Sequence, residues 1–176
     1  MIRSLNNKTP RISETAFISE SAYIVGNVEI GDESNVWPGV VIRGDFGSIK
    51  IGRGTAVEDN CVIHSGSPNS PDGDVVIGDG VVIGHGAVIN CRRIGDHVLI
   101  GMNATILHNA EIGNLCIIGA STLVGQGMKI PDHSFVTGVP GEIRGKPSQE
   151  QLWWVREGFK TYVELARQYK EQGLSL

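Results

Sequence analysis

The amino-acid sequence predicts an all-β solenoid: a parallel β-helix of six-residue repeats followed by one C-terminal α-helix. Three observations support this prediction. An aliphatic residue recurs every six positions, 24 glycines are available for turns, and residues 147–176 change to helical spacing. Charged residues make up 19% and aromatic residues 6% of the 176-residue chain. This balance favours short strands and frequent turns over a helical bundle.

The repeat runs from residue 12 to residue 136. Its aliphatic positions are Ile12, Ile18, Ile24, Ile30, Val36, Ile42, Ile51, Val57, Ile63, Ile77, Ile83, Ile89, Ile94, Ile100, Ile106, Ile112, Ile118, Val124, Ile130 and Val136. Strand side chains alternate between faces, so each aliphatic residue and the small residue two positions before it both point inward. The positions that follow form a corner, where Gly, Asn and Asp are favoured. At three units per triangular coil, these twenty units make nearly seven coils.

Three steps depart from the six-residue period, and the longest of them predicts a loop. It separates Ile63 from Ile77 and contains a Pro-, Gly- and Ser-rich segment at residues 65–74. Treating this step as one repeat unit plus an eight-residue loop places Ile42, Ile63 and Ile89 on one face in successive coils. Loops that interrupt a regular scaffold frequently carry function.

Residues 147–176 are predicted to form a helix that packs along the β-helix of residues 1–146, within a single domain. Ser148 and Gln151 match the S-x-x-Q pattern of a capping box. Apolar residues then recur at helical spacing, and Gly173 is a suitable helix stop.

The cysteines and two adjacent tryptophans are predicted to have structural roles. Cys61 and Cys116 occupy the small inward position and are expected in the core, whereas Cys91 is expected at a corner as a partly buried interface thiol. Trp153 and Trp154 are expected to pack the helix against the β-helix. An odd number of cysteines without C-x-x-C spacing favours free thiols and a reducing, cytoplasmic setting.

Charge and hydropathy argue against two classes of partner. The net charge of −4 comes without a basic stripe, which argues against nucleic acid. No apolar run approaches the length of a membrane span, and the first ten residues lack the apolar centre of a signal peptide.

The repeat register stacks polar residues in two columns on neighbouring faces. One column contains Arg43, His64 and Asn90, and the other contains Glu58, Asp59 and His85. The columns point in different directions, so they can meet only across an interface between chains. A cyclic homotrimer is the closed symmetric arrangement that would bring them together. Any site formed between the two columns, such as a metal site, would occur three times, and only in the oligomer.

Several segments resemble successive sequence blocks of the γ-class carbonic anhydrase-like proteins. They are VWPGVVIRGDFGSIKIG, TAVEDNCVIH, VVIGHGAVIN and VLIGMNATIL, and TGVPGEIR with YVELARQY resembles the family's ending. The resemblance covers nearly the whole chain. It implies a left-handed coil, an exception to the general right-handed rule. The blocks are more specific than the bare six-residue repeat, which many acyltransferases share.

The resemblance also implies a metal site. In that family three histidines from two subunits bind zinc. This implies that His64 and the neighbour's His85 are ligands, whereas the third position holds Asn90. A glutamine of the family falls at Glu58. The candidate catalytic residues are Arg43, Asp45, Glu58, Asp59 and Tyr162. For the arginine–aspartate pair, an intersubunit ion pair that fixes the trimer is an equally good interpretation.

Zinc in such a site takes three protein ligands and a water whose pKa falls to near 7. The resemblance therefore implies that hydroxide attacks carbon dioxide at neutral pH and gives bicarbonate. Iron or cobalt also suits imidazole ligands. The amide of Asn90 is a weaker donor than imidazole, while Glu58 adds a carboxylate that could complete a set of two histidines and one carboxylate. These two differences from the family, at positions 90 and 58, either compensate each other or indicate that the activity has been lost.

Two other functions remain open on the same scaffold. A CoA-dependent acyltransferase of this type uses a histidine base from a long loop, but residues 65–74 contain no histidine. A non-catalytic trimer for assembly or small-ligand binding would also be compatible with Asn90 and Glu58. Fold alone does not choose among these classes.

Overall fold

The computed structural model describes residues 1–66 and 73–176. It confirms the predicted fold class: a left-handed parallel β-helix of about seven turns with one C-terminal helix. Much of the predicted loop at residues 65–74 lies outside the described residues. In the part of the chain that is described, no helix is both long and apolar enough to cross a bilayer.

The strands are short, most of them two or three residues long. They are β1 (Ile2–Arg3), β2 (Arg11–Ile12), β3 (Phe17–Ile18), β4 (Tyr23–Ile30), β5 (Asn35–Val36), β6 (Val41–Ile51), β7 (Ala56–Val57), β8 (Val62–His64), β9 (Val75–Ile77), β10 (Val82–Ile83), β11 (Val88–Ile89), β12 (Arg93–Ile94), β13 (Leu99–Ile100), β14 (Thr105–Ile106), β15 (Glu111–Ile112), β16 (Ile117–Ile118), β17 (Leu123–Val124), β18 (Lys129–Ile130), β19 (Phe135–Thr137) and β20 (Glu142–Gly145). The helix α1 spans Gln149–Glu171.

The strands stack into three faces. The first face contains β8, β11, β14 and β17 above the beginning of β6, and the second contains β9, β12, β15 and β18 above its end. The third face runs from β3 to β19, all parallel, and ends with the antiparallel β20. The predicted register is confirmed, because Ile42 pairs with Ile63 and Ile63 with Ile89 on the first face.

The inward aliphatic residues form one continuous core, as the six-residue period predicts. Cys61 and Cys116 are buried in it as expected. The prediction for Cys91 was wrong, because this residue is also fully buried in the core. The step from Ile89 to Ile94 is one residue short, which moves Cys91 into the inward position. Burial raises the pKa of Cys61 and of Cys91 to about 12.

The helix α1 packs on the third face, against β3, β5, β7 and β10. Ser148 and Gln151 form the predicted capping box, and Gly173 follows the helix with φ +75°. The prediction that Trp153 and Trp154 pack inward was wrong, because they are 58% and 56% exposed. They lie outside the helical stripe that faces the β-helix.

A second apolar cluster joins α1 to the third face. Phe17, Trp37 and Ala166 are buried in it, and Tyr162 packs against them. The ring of Trp37 lies 5.1 Å from that of Phe17 and 6.4 Å from that of Tyr162. This cluster fixes the rotation of α1 and directs Tyr162 towards the end of β7.

Candidate functional site

The first group of polar side chains lies on the first face. Arg43 in β6 is the ladder partner of His64 at the end of β8. Asn90 follows β11, one coil further on, and its Nδ2 donates a hydrogen bond to the His64 carbonyl oxygen at 3.0 Å. The parallel ladder therefore brings together the three residues of the predicted column.

Asp45 links the charged groups of this face. Its Oδ1 lies 2.8 Å from His64 Nε2, and its Oδ2 forms an ion pair with Arg43. Burial raises the pKa of Asp45, but the hydrogen bond from His64 and the charges of His64 and Arg43 outweigh burial and hold it below its usual value. The carboxylate thus orients the His64 ring through Nε2. The other ring nitrogen, Nδ1, does not contact Asp45.

Phe46 belongs to the same group but was not found from the sequence. Its ring lies 5.6 Å from the imidazole of His64. Its position directly after Asp45, in the R-G-D segment of residues 43–45, is the sequence feature that could have identified it.

The second group lies where the third face ends in a corner. Glu58, only 4% exposed, follows β7, and His85 follows β10 by two residues. Glu58 Oε2 lies 3.0 Å from His85 Nε2 and accepts the His85 backbone N–H at 3.1 Å. Asp59 Oδ2 lies 3.0 Å from His85 Nδ1. Gly86 allows the turn that aims this imidazole, because its φ of +72° is in the left-handed region.

Tyr162 of α1 completes the second group. Its hydroxyl lies close enough to the Glu58 carboxylate for the two groups to interact electrostatically. Burial raises the pKa of Tyr162, and the nearby Glu58 and the negative charge of Asp59 raise it further. The hydroxyl therefore stays protonated and acts as a donor at neutral pH.

A groove of about 430 Å³ opens between α1 and the third face beside this group. Its polar end is formed by Glu58, His85 and Tyr162. Its apolar walls include Leu99, Met102 and Trp154. Sequence reasoning missed these wall residues, because their contact depends on how the helix docks.

One chain does not bring the two groups together. In residues 1–66 and 73–176, no group of three or more His, Cys, Asp or Glu side chains is arranged so that it could hold a metal ion. His64 and Asn90 are on the first face, whereas His85 is at the end of the third. The homotrimer that would join them stays a prediction.

The residues present nevertheless fit a divalent cation. Each imidazole has a carboxylate partner: Asp45 lies on Nε2 of His64, and His85 has Asp59 on Nδ1 and Glu58 on Nε2. Histidines that bind metals usually donate their other ring N–H to such a partner, which fixes the ring and raises its basicity. Imidazole and carboxylate donors suit zinc, and they also suit iron(II).

Comparison with known proteins identifies the family. Residues 9–44 and 93–126 match the family model described as bacterial transferase hexapeptide (six repeats). A probable carbonic anhydrase from Methanocaldococcus jannaschii is 48% identical over 155 residues, which cover 88% of this chain and 95% of that protein. The mitochondrial γ carbonic anhydrase 2 of Arabidopsis thaliana is 34% identical over 92% of this chain, which spans only 59% of that protein's length.

A solved structure shares the fold of this chain. The crystal structure of a putative acetyltransferase from Bacillus cereus superposes with a TM-score of 0.92 at 36% identity and covers 98% of both chains. The similarity to the probable carbonic anhydrase of Methanocaldococcus jannaschii extends over most of both proteins. This chain therefore belongs to the γ-carbonic anhydrase-like family of hexapeptide-repeat proteins.

Proposed function

We propose that the protein is a γ-carbonic anhydrase-like metalloenzyme that catalyses the reversible hydration of carbon dioxide to bicarbonate. It acts as a homotrimer with one divalent cation at each interface. Zinc is the expected cation, and iron or cobalt are the alternatives. The family positions of the ligands are His64 and Asn90 of one copy and His85 of the next. The kinship with proteins named as carbonic anhydrases supports this proposal.

The observation that carries the proposal is the paired orientation of the two imidazoles. Asp45 holds His64 and Asp59 holds His85, each through one ring nitrogen. Such a partner fixes the ring and its tautomer, as it does for histidines that bind metals. When bound, a cation of this kind supplies a water whose pKa is lowered to near 7.

The other residues have roles that their contacts define. Arg43 holds Asp45 in place, and Asp59, whose side chain is 39% exposed, connects His85 to solvent. At the polar end of the groove Glu58 accepts the His85 backbone N–H, and the Tyr162 hydroxyl is available as a donor. These two groups can orient bicarbonate, while the apolar walls accommodate carbon dioxide and exclude water.

The test is the metal content of anaerobically purified protein by elemental analysis, together with carbon dioxide hydration in a stopped-flow assay. We expect about one cation per chain, and activity that a chelator removes and the metal restores. Asn90→His should bind the cation more tightly, and His64→Ala should bind none. If wild type stays empty after reconstitution while Asn90→His fills, hydration has been lost and an assembly or binding role remains.

An acyltransferase is the second candidate, because the Bacillus cereus structure is described as a putative acetyltransferase and the groove is larger than carbon dioxide requires. Residues 65–74 contain no histidine that could serve as the base, although 67–72 lie outside the described residues. Thiol release from acetyl-CoA in the presence of a panel of amines, with no hydration activity, would favour this candidate.

A further inference from the structure

We propose that Glu58, rather than Asn90, supplies the third protein ligand of the interface cation. The ligand set is then His64 of one copy with His85 and Glu58 of the next. This inference rests on the proposed function, because it takes a cation between copies as given. It changes which copy contributes two ligands, and it changes the chemistry of the set.

Asn90 is poorly suited to be a ligand in this structure. Its Nδ2 already donates to the His64 carbonyl oxygen at 3.0 Å, which restricts the rotation of the amide. An asparagine side chain is also shorter than a histidine, so its oxygen falls short of the place where an imidazole nitrogen would be. The oxygen that remains is a neutral and weak donor for zinc.

Glu58 has the position and the charge that Asn90 lacks. Its Oε2 lies 3.0 Å from His85 Nε2. Two donors that bind one cation at about 2.0–2.2 Å, with angles of about 90–109°, are separated by about 2.8–3.6 Å. The two atoms are therefore already spaced as neighbouring ligands of one ion.

The contacts around the pair fix which atoms face the cation. Asp59 contacts Nδ1 of His85, so Nε2 is the ring nitrogen that faces Glu58. The His85 backbone N–H holds the carboxylate from the protein side by a hydrogen bond to Glu58 Oε2 at 3.1 Å. A carboxylate that is 4% exposed would be costly to bury without positive charge nearby, and a cation at this point supplies that charge.

The resulting set of two histidines and one carboxylate belongs to a known chemical class. Hydrolytic zinc sites use it, and so do non-haem iron(II) sites. Compared with three histidines, it lowers the net charge of the occupied site by one. The loss of an imidazole at position 90 and the carboxylate at position 58 are then two parts of one change.

The experiment measures cation binding directly. Metal-free wild type, Glu58→Gln, Asn90→Ala and the matched control Asp59→Asn are titrated with Zn²⁺ against a chromophoric chelator. Visible absorption spectra are recorded with Co²⁺. Glu58→Gln keeps the side-chain shape, and the family carries glutamine here, so folding and assembly should persist. Circular dichroism and size-exclusion chromatography check this.

We expect Glu58→Gln to weaken Zn²⁺ binding by more than about 100-fold, beyond the about 10–100-fold effect of partners that only orient a ligand. Its Co²⁺ absorption bands should also shift. Asn90→Ala should stay within about 3-fold of wild type, and Asp59→Asn should weaken binding without moving the bands.

Three results would overturn the inference. If Asn90→Ala loses the cation and Glu58→Gln keeps it, Asn90 is the ligand and the proposed function survives. If Glu58→Gln weakens binding but leaves the Co²⁺ bands unchanged, Glu58 only positions His85. If neither wild type nor Asn90→His binds Zn²⁺ or Co²⁺, the proposed function fails as well.

Discussion

Replacing Trp37 by alanine should cost a large part of the protein's stability. Trp37 follows β5 and lies between the third face and α1, in contact with Phe17 and Tyr162. Its Nε1 donates a 2.7 Å hydrogen bond to Asn35 Oδ1, and Asn35 is 0% exposed. The substitution would therefore open a cavity and also leave a buried amide oxygen without its partner.

The two effects have known sizes. Removing a buried tryptophan side chain typically costs about 3–5 kcal/mol, and stranding a buried acceptor costs about 1–3 kcal/mol. Together they predict a loss of about 4–8 kcal/mol for Trp37→Ala, against a total stability of about 5–15 kcal/mol for a typical domain. Trp37→Phe keeps most of the packing and should lose about 1–3 kcal/mol.

Urea denaturation followed by circular dichroism measures these differences. All variants must be compared at one protein concentration, because the proposed assembly would contribute to apparent stability. Trp153→Ala is the matched control, since Trp153 is exposed on α1. This substitution should change the free energy of unfolding by no more than about 0.5 kcal/mol. A loss below about 1 kcal/mol for Trp37→Ala, or an equal loss for Trp153→Ala, would refute the reasoning.

Three further predictions concern the core and the site. Ile63→Ala should lower the free energy of unfolding by about 2–5 kcal/mol, whereas Val76→Ala, on an outward position, should lower it by less than about 0.5 kcal/mol; urea denaturation decides. Gly86→Ala should cost at least about 1–2 kcal/mol and should weaken Zn²⁺ binding, because it strains the turn beside the site. Asp45→Asn should weaken Zn²⁺ binding by about 10–100-fold by releasing His64, and unchanged affinity in a chelator competition would contradict that role.

The fold could be predicted because the six-residue period is a direct consequence of strand alternation and corner turns. The register across the long step was also predictable. Counting that step as one repeat unit plus a loop, and not as two units, keeps Ile42, Ile63 and Ile89 on one face, and the strand pairing confirms this. The prediction for Cys91 failed where a corner is one residue short. A missing residue shifts the inward position locally, and the period alone does not show which residue moves in.

The candidate site was partly predictable for the same reason. Ladder partners on one face, such as Arg43 and His64, are fixed by the coil length, so their proximity follows from the repeat. The contact of Tyr162 with Glu58 depends on how α1 sits on the third face, which the apolar stripe of the helix defines only roughly. The exposure of Trp154 beside the groove has the same origin.

The division of the site between two faces explains how the proposed set of ligands could change without loss of the cation. Position 90 belongs to the group held by Asp45 on the first face, and position 58 belongs to the group held with His85 on the third. In the proposed trimer these groups come from different copies and meet at one point. A donor lost from one group can therefore be replaced by a donor from the other, with no change in the β-helix that carries either of them. The short distance between Glu58 and His85 within one chain is what makes this replacement chemically reasonable.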